Sequence, residues 1–249
     1  MAPASERGGA RRVALLLAAH GEQLAGATND SVVRLASSLA ARKAADEIGI
    51  GFVKDTPTVS EAIDTFTASD VVVYPLFMSS GYFAGTRLKQ LCADAVATRP
   101  ELNVKILPPL GRESALAAVV ADRADAAARR LDQASIDTTL VLMAHGSTQE
   151  QASYIAATEL ADRLRTLKRF SDVVAVFLEQ PPTLTDVLSQ QTGPVVVAGL
   201  FVGDGLHGGE DVARSIAAFR RSDIVFAGNV GAWPEIAEIV AAAVMSATR

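Results

Sequence analysis

Cysteine is nearly absent from this chain: Cys92 stands alone among 249 residues. A lone thiol forms no internal disulfide and no cysteine-built zinc site, so the chain suits a reducing compartment, with Cys92 itself read as a small buried apolar residue. Aromatics are scarce too, at 5%, and the core has to be assembled from the small aliphatic side chains that dominate the 49% hydrophobic content. No apolar run approaches the roughly 20 residues that span a bilayer. Arg11 and Arg12 followed by Val13 to Ala19 imitate a secretory leader, but the run is short and no small-residue cleavage site follows. Basic residues are outnumbered, 23 Lys and Arg against 28 Asp and Glu, for a net charge of −5. That balance excludes a nucleic-acid binder, which needs clustered cations to neutralise phosphate. We expect a cytoplasmic globular protein with no nucleic-acid or membrane partner, in which any anionic ligand meets a local basic patch.

What the chain does have is a repeat. "LLLAAHGE" around His20 returns as "LVLMAHGS" around His145, and "VKDTPTVSEAID" from Val53 returns as "LEQPPTLTDVLS" from Leu178, both 125 residues on. "VVVYPLFMSSGYFAG" from Val71 returns as "VVVAGLFVGDGLHGG" from Val195, 124 residues on. Three blocks in one order at nearly one spacing indicate a duplication, with halves at 1–132 and 133–249.

Within each half, short Val, Leu and Ile runs alternate with longer amphipathic segments, the pattern of strand-helix-strand units around a parallel sheet buried on both faces. Strands are expected near residues 13–19, 50–54, 70–76 and 103–107, then near 139–144, 173–178, 194–200 and 223–227. Helical periodicity runs from Ser31 to Glu47 and from Gln149 to Lys168, and a charged helix ends in Arg129 and Arg130. The fold class is therefore α/β: two duplicated halves, each a doubly wound four-stranded parallel sheet with helices on both faces. The halves are expected to pack face to face around a cleft.

The chain has three histidines. Each falls at the end of an apolar strand or in the loop beyond it, where open parallel sheets bind ligands. A single histidine in such a protein is commonly structural; three at strand ends point to a site. The second half carries His145 after its first strand, Glu179 after its second and His207 in "GDGLHGGED" after its third. Two imidazoles and a carboxylate suit a borderline divalent metal such as cobalt, iron, nickel or zinc. Gly205 and Gly208, with Gly203 and Gly209, would let the backbone approach a flat ligand closely, and Glu210 and Asp211 follow. The first half is an internal control. His20 persists, but Lys54 stands for Glu179, Phe83 for His207, and Thr86 and Arg87 for Glu210 and Asp211. A metal site does not survive that exchange, whereas a basic and aromatic wall for an acidic macrocycle can be made by it.

The strand-then-"HG" blocks at His20-Gly21 and His145-Gly146, the "FLE" of Phe177, Leu178 and Glu179 with Pro181, and the "PLF" and "GLF" strands before Gly-rich loops resemble the sirohydrochlorin chelatases of the CbiX and SirB type, over nearly the whole chain. The resemblance implies a chelatase-like fold and a lyase, a cobaltochelatase or ferrochelatase that inserts Co²⁺ or Fe²⁺ into sirohydrochlorin in cobalamin or sirohaem biosynthesis. Two histidines matching His145 and His207 would handle the metal, and the "FLE" glutamate, Glu179, would assist. No cofactor would be permanently bound, the divalent metal being a substrate. The first half departs from that pattern at Phe83 and, with Met78, Ser79, Ser80 and Tyr82 in its loop, reads as scaffold and pocket wall. His20, Lys54, Phe83, Arg87, Gly205, Gly208 and Glu210 are the residues expected against the tetrapyrrole, with Lys89 and Arg214 as further cations for its carboxylates. A two-copy chain needs no partner to form the cleft, so a monomer is expected. Two other readings use the same residues: a divalent-metal carrier without catalysis, and a scaffold protein of the same fold.

Overall fold

Seven small or branched apolar residues in a row, Val13–Ala19 (β1), can be satisfied only as a central strand covered on both sides. The computed structural model, which describes residues 12–21, 29–147, 151–203 and 210–249, places them there. Asp30–Ala41 (α1), Glu47–Phe52 (β2), Val59–Asp64 (α2), Asp70–Pro75 (β3), Leu88–Thr98 (α3), Asn103–Ile106 (β4) and Leu116–Ala128 (α4) follow. The second half repeats the order as Thr139–Ala144 (β5), Ala152–Thr166 (α5), Asp172–Phe177 (β6), Leu184–Leu188 (α6), Val195–Gly199 (β7), Glu210–Ala217 (α7), Ile224–Asn229 (β8) and Ile236–Ala247 (α8). Both sheets are wholly parallel and wound alike, β2-β1-β3-β4 and β6-β5-β7-β8. No helix among the described residues is long and apolar enough to cross a membrane.

The period-2 alternation of a strand assigns each side chain to a layer. Ala14, Leu16 and Ala18 of β1 meet α2 and α3 on the outside, while Leu15, Leu17 and Ala19 point inward. In β5, Val141 and Met143 belong to the outer layer with α6, and Leu140, Leu142 and Ala144 to the inner one. The two halves pack inner face to inner face, with helices rather than bare sheets meeting between them. Four helices, α1, α4, α5 and α8, fill the space between the sheets as one continuous apolar core. Moreover, the last helix of each half crosses over: α4 packs on β7 and β8 of the second sheet, and α8 on β3 of the first. Alanines make this close approach possible, since Ala121, Ala124 and Ala128 of α4 are completely buried.

Polar ties run across the same layer. Arg123 of α4 forks onto Glu235 at 2.7 and 3.0 Å, Arg169 reaches Asp122 and Asp125, and Arg163 donates to the carbonyls of Gly111 and Glu113 at 3.2 and 3.0 Å. Ser31, buried at the start of α1, donates to the carbonyl of Val202 just beyond β7 at 2.9 Å. Because α1 starts beside the carboxyl ends of β1 and β2, this bond brings the carboxyl ends of both sheets to one side of the molecule.

Several boundaries depart from the periodicity. The helix expected to reach Glu47 stops at Ala41: Lys43 adopts φ 54°, and Asp46 accepts from the Val13 amide instead of continuing the helix. Glu47 then opens β2, which begins earlier than expected. Glycines dilute its apolar pattern for a steric reason, since a Cβ on Gly51 would lie 2.8 Å from the Val59 Cα. The helix expected to end at Arg129 and Arg130 gives way to a 3-10 turn at Arg129–Leu131, closed by Asp132 at φ 54°.

Candidate functional site

Each half ends its first strand in His-Gly, and the glycine has a local cause. Gly21 and Gly146 sit at φ 89° and 75°, and a Cβ there would come within 2.4 Å of the Asp55 Cβ or 2.9 Å of the Phe177 Cβ. The close approach presses the loop after the first strand onto the loop after the second. Backbone bonds fasten it: Lys54 N–H donates to the His20 carbonyl at 2.9 Å, and Leu178 and Glu179 N–H both donate to the His145 carbonyl at 3.1 Å. The residue two past the second strand is thereby brought beside the histidine.

The next helix in each half is anchored the same way. Thr58 and Glu61 form a reciprocal capping box at the start of α2, and Thr183 and Asp186 form its counterpart at α6. The amides they bond hold the Glu61 and Asp186 carboxyls below the usual carboxylate range.

In the second half, His145 Nδ1 lies 3.6 Å from Glu179 Oε2, with both side chains about half exposed. The same nitrogen is 3.2 Å from the Gly146 carbonyl. The Gly146 carbonyl is in hydrogen-bond reach of a proton on Nδ1, with the Glu179 carboxylate just beyond, and the tautomer carrying that proton leaves the lone pair on Nε2. The Ser147 amide donates to Gln180 and the Gly146 amide to Ser153 Oγ, so the start of α5 is tied into this loop. Among the described residues no three of His, Cys, Asp and Glu come together as a metal cage; His145 and Glu179 are a two-member set. His207, Gly205 and Gly208 lie outside the described residues, and of Glu210 only the backbone is described, as the first residue of α7.

In the first half the counterparts converge. The His20 and Phe83 rings meet edge to face at 4.9 Å, and the Lys54 ammonium sits 4.5 Å from the centre of the Phe83 ring. His20 repeats its twin's bond, with Nδ1 3.1 Å from the Gly21 carbonyl. Phe83 opens a π-helical turn, Phe83–Arg87, that runs into α3. Arg87 closes that turn, and Lys89 lies exposed in the first turn of α3. Arg214 lies in the last turn of α7. The exchange of Glu179 for Lys54 is thus an exchange of local charge at matching places in the two sheets.

Three contributors escaped the sequence reading. Ser153, Gln180 and Tyr154, which stacks on Phe177 with ring centroids 5.1 Å apart, all build the His145 loop. A tyrosine placed just after a polar stretch was the available signal for the last; the other two are ordinary polar residues that only the fold brings together.

The CbiX family model matches residues 14–127 and again 139–247. A Halobacterium salinarum protein described as a probable sirohydrochlorin cobaltochelatase is 26% identical, over 91% of this chain and 89% of its own. Among solved structures, SirB from Bacillus subtilis with Fe³⁺ superposes with a TM-score of 0.80 at 14% identity, covering 95% of this chain and 96% of its own. A CbiX described as the terminal enzyme for siroheme biosynthesis in denitrifying bacteria superposes at 0.72 and 23% identity, covering 94% and 98%. Both share the fold of two parallel sheets. With its duplicated sheets, its paired His-Gly strand ends and a family match in both halves, the chain belongs to the CbiX family.

Proposed function

We propose that this protein is a metallochelatase that inserts a divalent metal, Co²⁺ or Fe²⁺, into sirohydrochlorin, using His145, Glu179 and His207 of the second copy. We take the copies to divide at 132/133, and the protein to act as a cytoplasmic monomer, since both sheets open to one side within a single chain. The observation that carries the reading is the contrast between matching strand ends: imidazole beside carboxylate at His145 and Glu179, ammonium over a phenyl ring at Lys54 and Phe83. The first arrangement attracts a cation, the second an anion.

Insertion replaces two pyrrole N–H protons by one divalent ion, so the site needs a metal ligand and a proton acceptor close together. Nε2 of His145 serves the metal, with the ring held through Nδ1 by Gly146 and Glu179, and of the two protons released the Glu179 carboxylate accepts one and water at this half-exposed site takes the other. His207 is assigned as the second ligand. His20, Lys54 and Arg87 meet the carboxylates of the macrocycle, with Gly205, Gly208 and Glu210 lining the other side.

Anaerobic absorbance assays with sirohydrochlorin and either Co²⁺ or Fe²⁺ test this. His145→Ala and His207→Ala should lose insertion, while His20→Ala should retain turnover with a raised KM. Full rates in both metal-site variants would overturn the assignment. Metal uptake without insertion by folded wild type would favour the carrier reading.

A further inference from the structure

Tyr154 and Ile155 stand 41% and 47% exposed in the first turn of α5. The helix seats itself on the core through Ala157, Leu160, Ala161 and Leu164, so its own packing does not call for them. The Tyr154 ring lies nearly parallel to Phe177, at 29° between planes and 5.1 Å between centroids. Phe177 closes β6 two residues before Glu179 and is the ring against which Gly146 is pressed, while Ser153 accepts from the Gly146 amide. Tyr154 is therefore built onto the loop that carries His145, with Ile155 next to it in the first turn of α5. The first half again serves as the control. Asn29 and Asp30 stand 125 residues earlier, and Asn29 donates to Asp55 at 3.2 Å. The copy with a lysine in place of the glutamate is polar at this rim; the copy with the histidine and carboxylate is apolar there.

We infer that Tyr154 and Ile155 form a platform for one face of a flat conjugated macrocycle beside His145 and Glu179, which makes Tyr154 a specificity-determining residue for the tetrapyrrole. The inference rests on the chelatase reading. A ring laid on Tyr154 extends the stack begun by Phe177 and keeps its carboxylate-bearing edge in water, where the cations of the first half can reach it. A bare divalent metal has no use for the platform.

The test titrates metal-free sirohydrochlorin into the full-length protein by fluorescence and, separately, Co²⁺ alone by its visible absorption. Tyr154→Asn and Ile155→Asp, which copy the first half, should each weaken macrocycle binding roughly tenfold, with Co²⁺ affinity unchanged in Ile155→Asp, while Tyr154→Phe should bind both as wild type. Unchanged macrocycle affinity in both polar variants overturns the platform. So does sedimentation showing a wild-type dimer that Ile155→Asp dissociates, because a second copy would then cover the patch. Wild type that binds Co²⁺ but no macrocycle would instead fail the chelatase reading, a result distinct from that of the variants.

Discussion

Glu179 is held where it can act on His145 by backbone bonds to the His145 carbonyl, so its carboxylate can be changed without moving the loop. Glu179→Gln should keep the fold and weaken Co²⁺ binding about 10- to 100-fold, the usual effect of removing a group that orients a metal-bound histidine; equilibrium titration with Co²⁺ measures it. Cys92 behaves in the opposite manner. Burial pushes its thiol up to about 12, so at pH 8 it stays protonated and poorly nucleophilic. A thiol reagent should leave the folded protein unlabelled and modify one equivalent in guanidinium; fast labelling of native protein would show that α3 opens readily.

At the scale of elements, the 3-10 turns Leu110–Arg112 and Val230–Ala232 depend on contact too close for any side chain. A Cβ on Gly111 would lie 1.9 Å from the Met78 carbonyl oxygen, and one on Gly231 would lie 1.9 Å from that of Val202. Alanine at either position should cost about 3 kcal/mol or more in urea denaturation. Thr58→Ala and Thr183→Ala should each cost about 1 kcal/mol through loss of a cap. The box carboxylates add a pH dependence with a definite sign. Glu61 and Asp186 are held low by the amides of Thr58 and Thr183, so their contribution is present above the ordinary carboxylate range and is lost as pH falls through their folded values. The melting temperature of wild type should therefore drop between about pH 5 and pH 3 more steeply than that of Glu61→Gln/Asp186→Asn.

How much of this was readable beforehand follows from the same elements. β1, β5 and β7 are unbroken apolar runs and could be found within a residue of their ends. β2 could not be bounded, because Gly49 and Gly51 answer to Phe66 and Val59 on another element. Of the site, the duplication exposed the changes at Lys54 and Phe83, but the bond of Gln180 to Ser147 depends on loop geometry that spacing does not encode. The capping boxes that open α2 and α6, Thr58 with Glu61 and Thr183 with Asp186, came from the structure, because apolar periodicity alone marks no helix in stretches of six and five residues.

For the whole molecule, the shared core predicts one cooperative unit. Leu35 of α1 and Trp233, the one tryptophan, belong to the same inter-sheet cluster although they come from different halves. Leu35→Ala should lower the midpoint seen by Trp233 fluorescence as much as that seen by far-UV circular dichroism, at a cost of about 2–5 kcal/mol. Separate transitions would mean that the halves unfold independently.

The crossing of α4 and α8 has a further consequence. A solitary half of this kind would carry a sheet with one face only partly covered, by α1 or α5 alone, and a terminal helix with nowhere to lie, and two identical solitary halves would cure both faults by trading helices about a twofold axis. Joined in tandem, they make the same trade within one molecule, and the twofold no longer binds the two copies to identical residues. Lys54 and Glu179 record that release: one strand end could reverse its charge while the other kept its own, and neither copy could be discarded, because each supplies a wall of the other's interior.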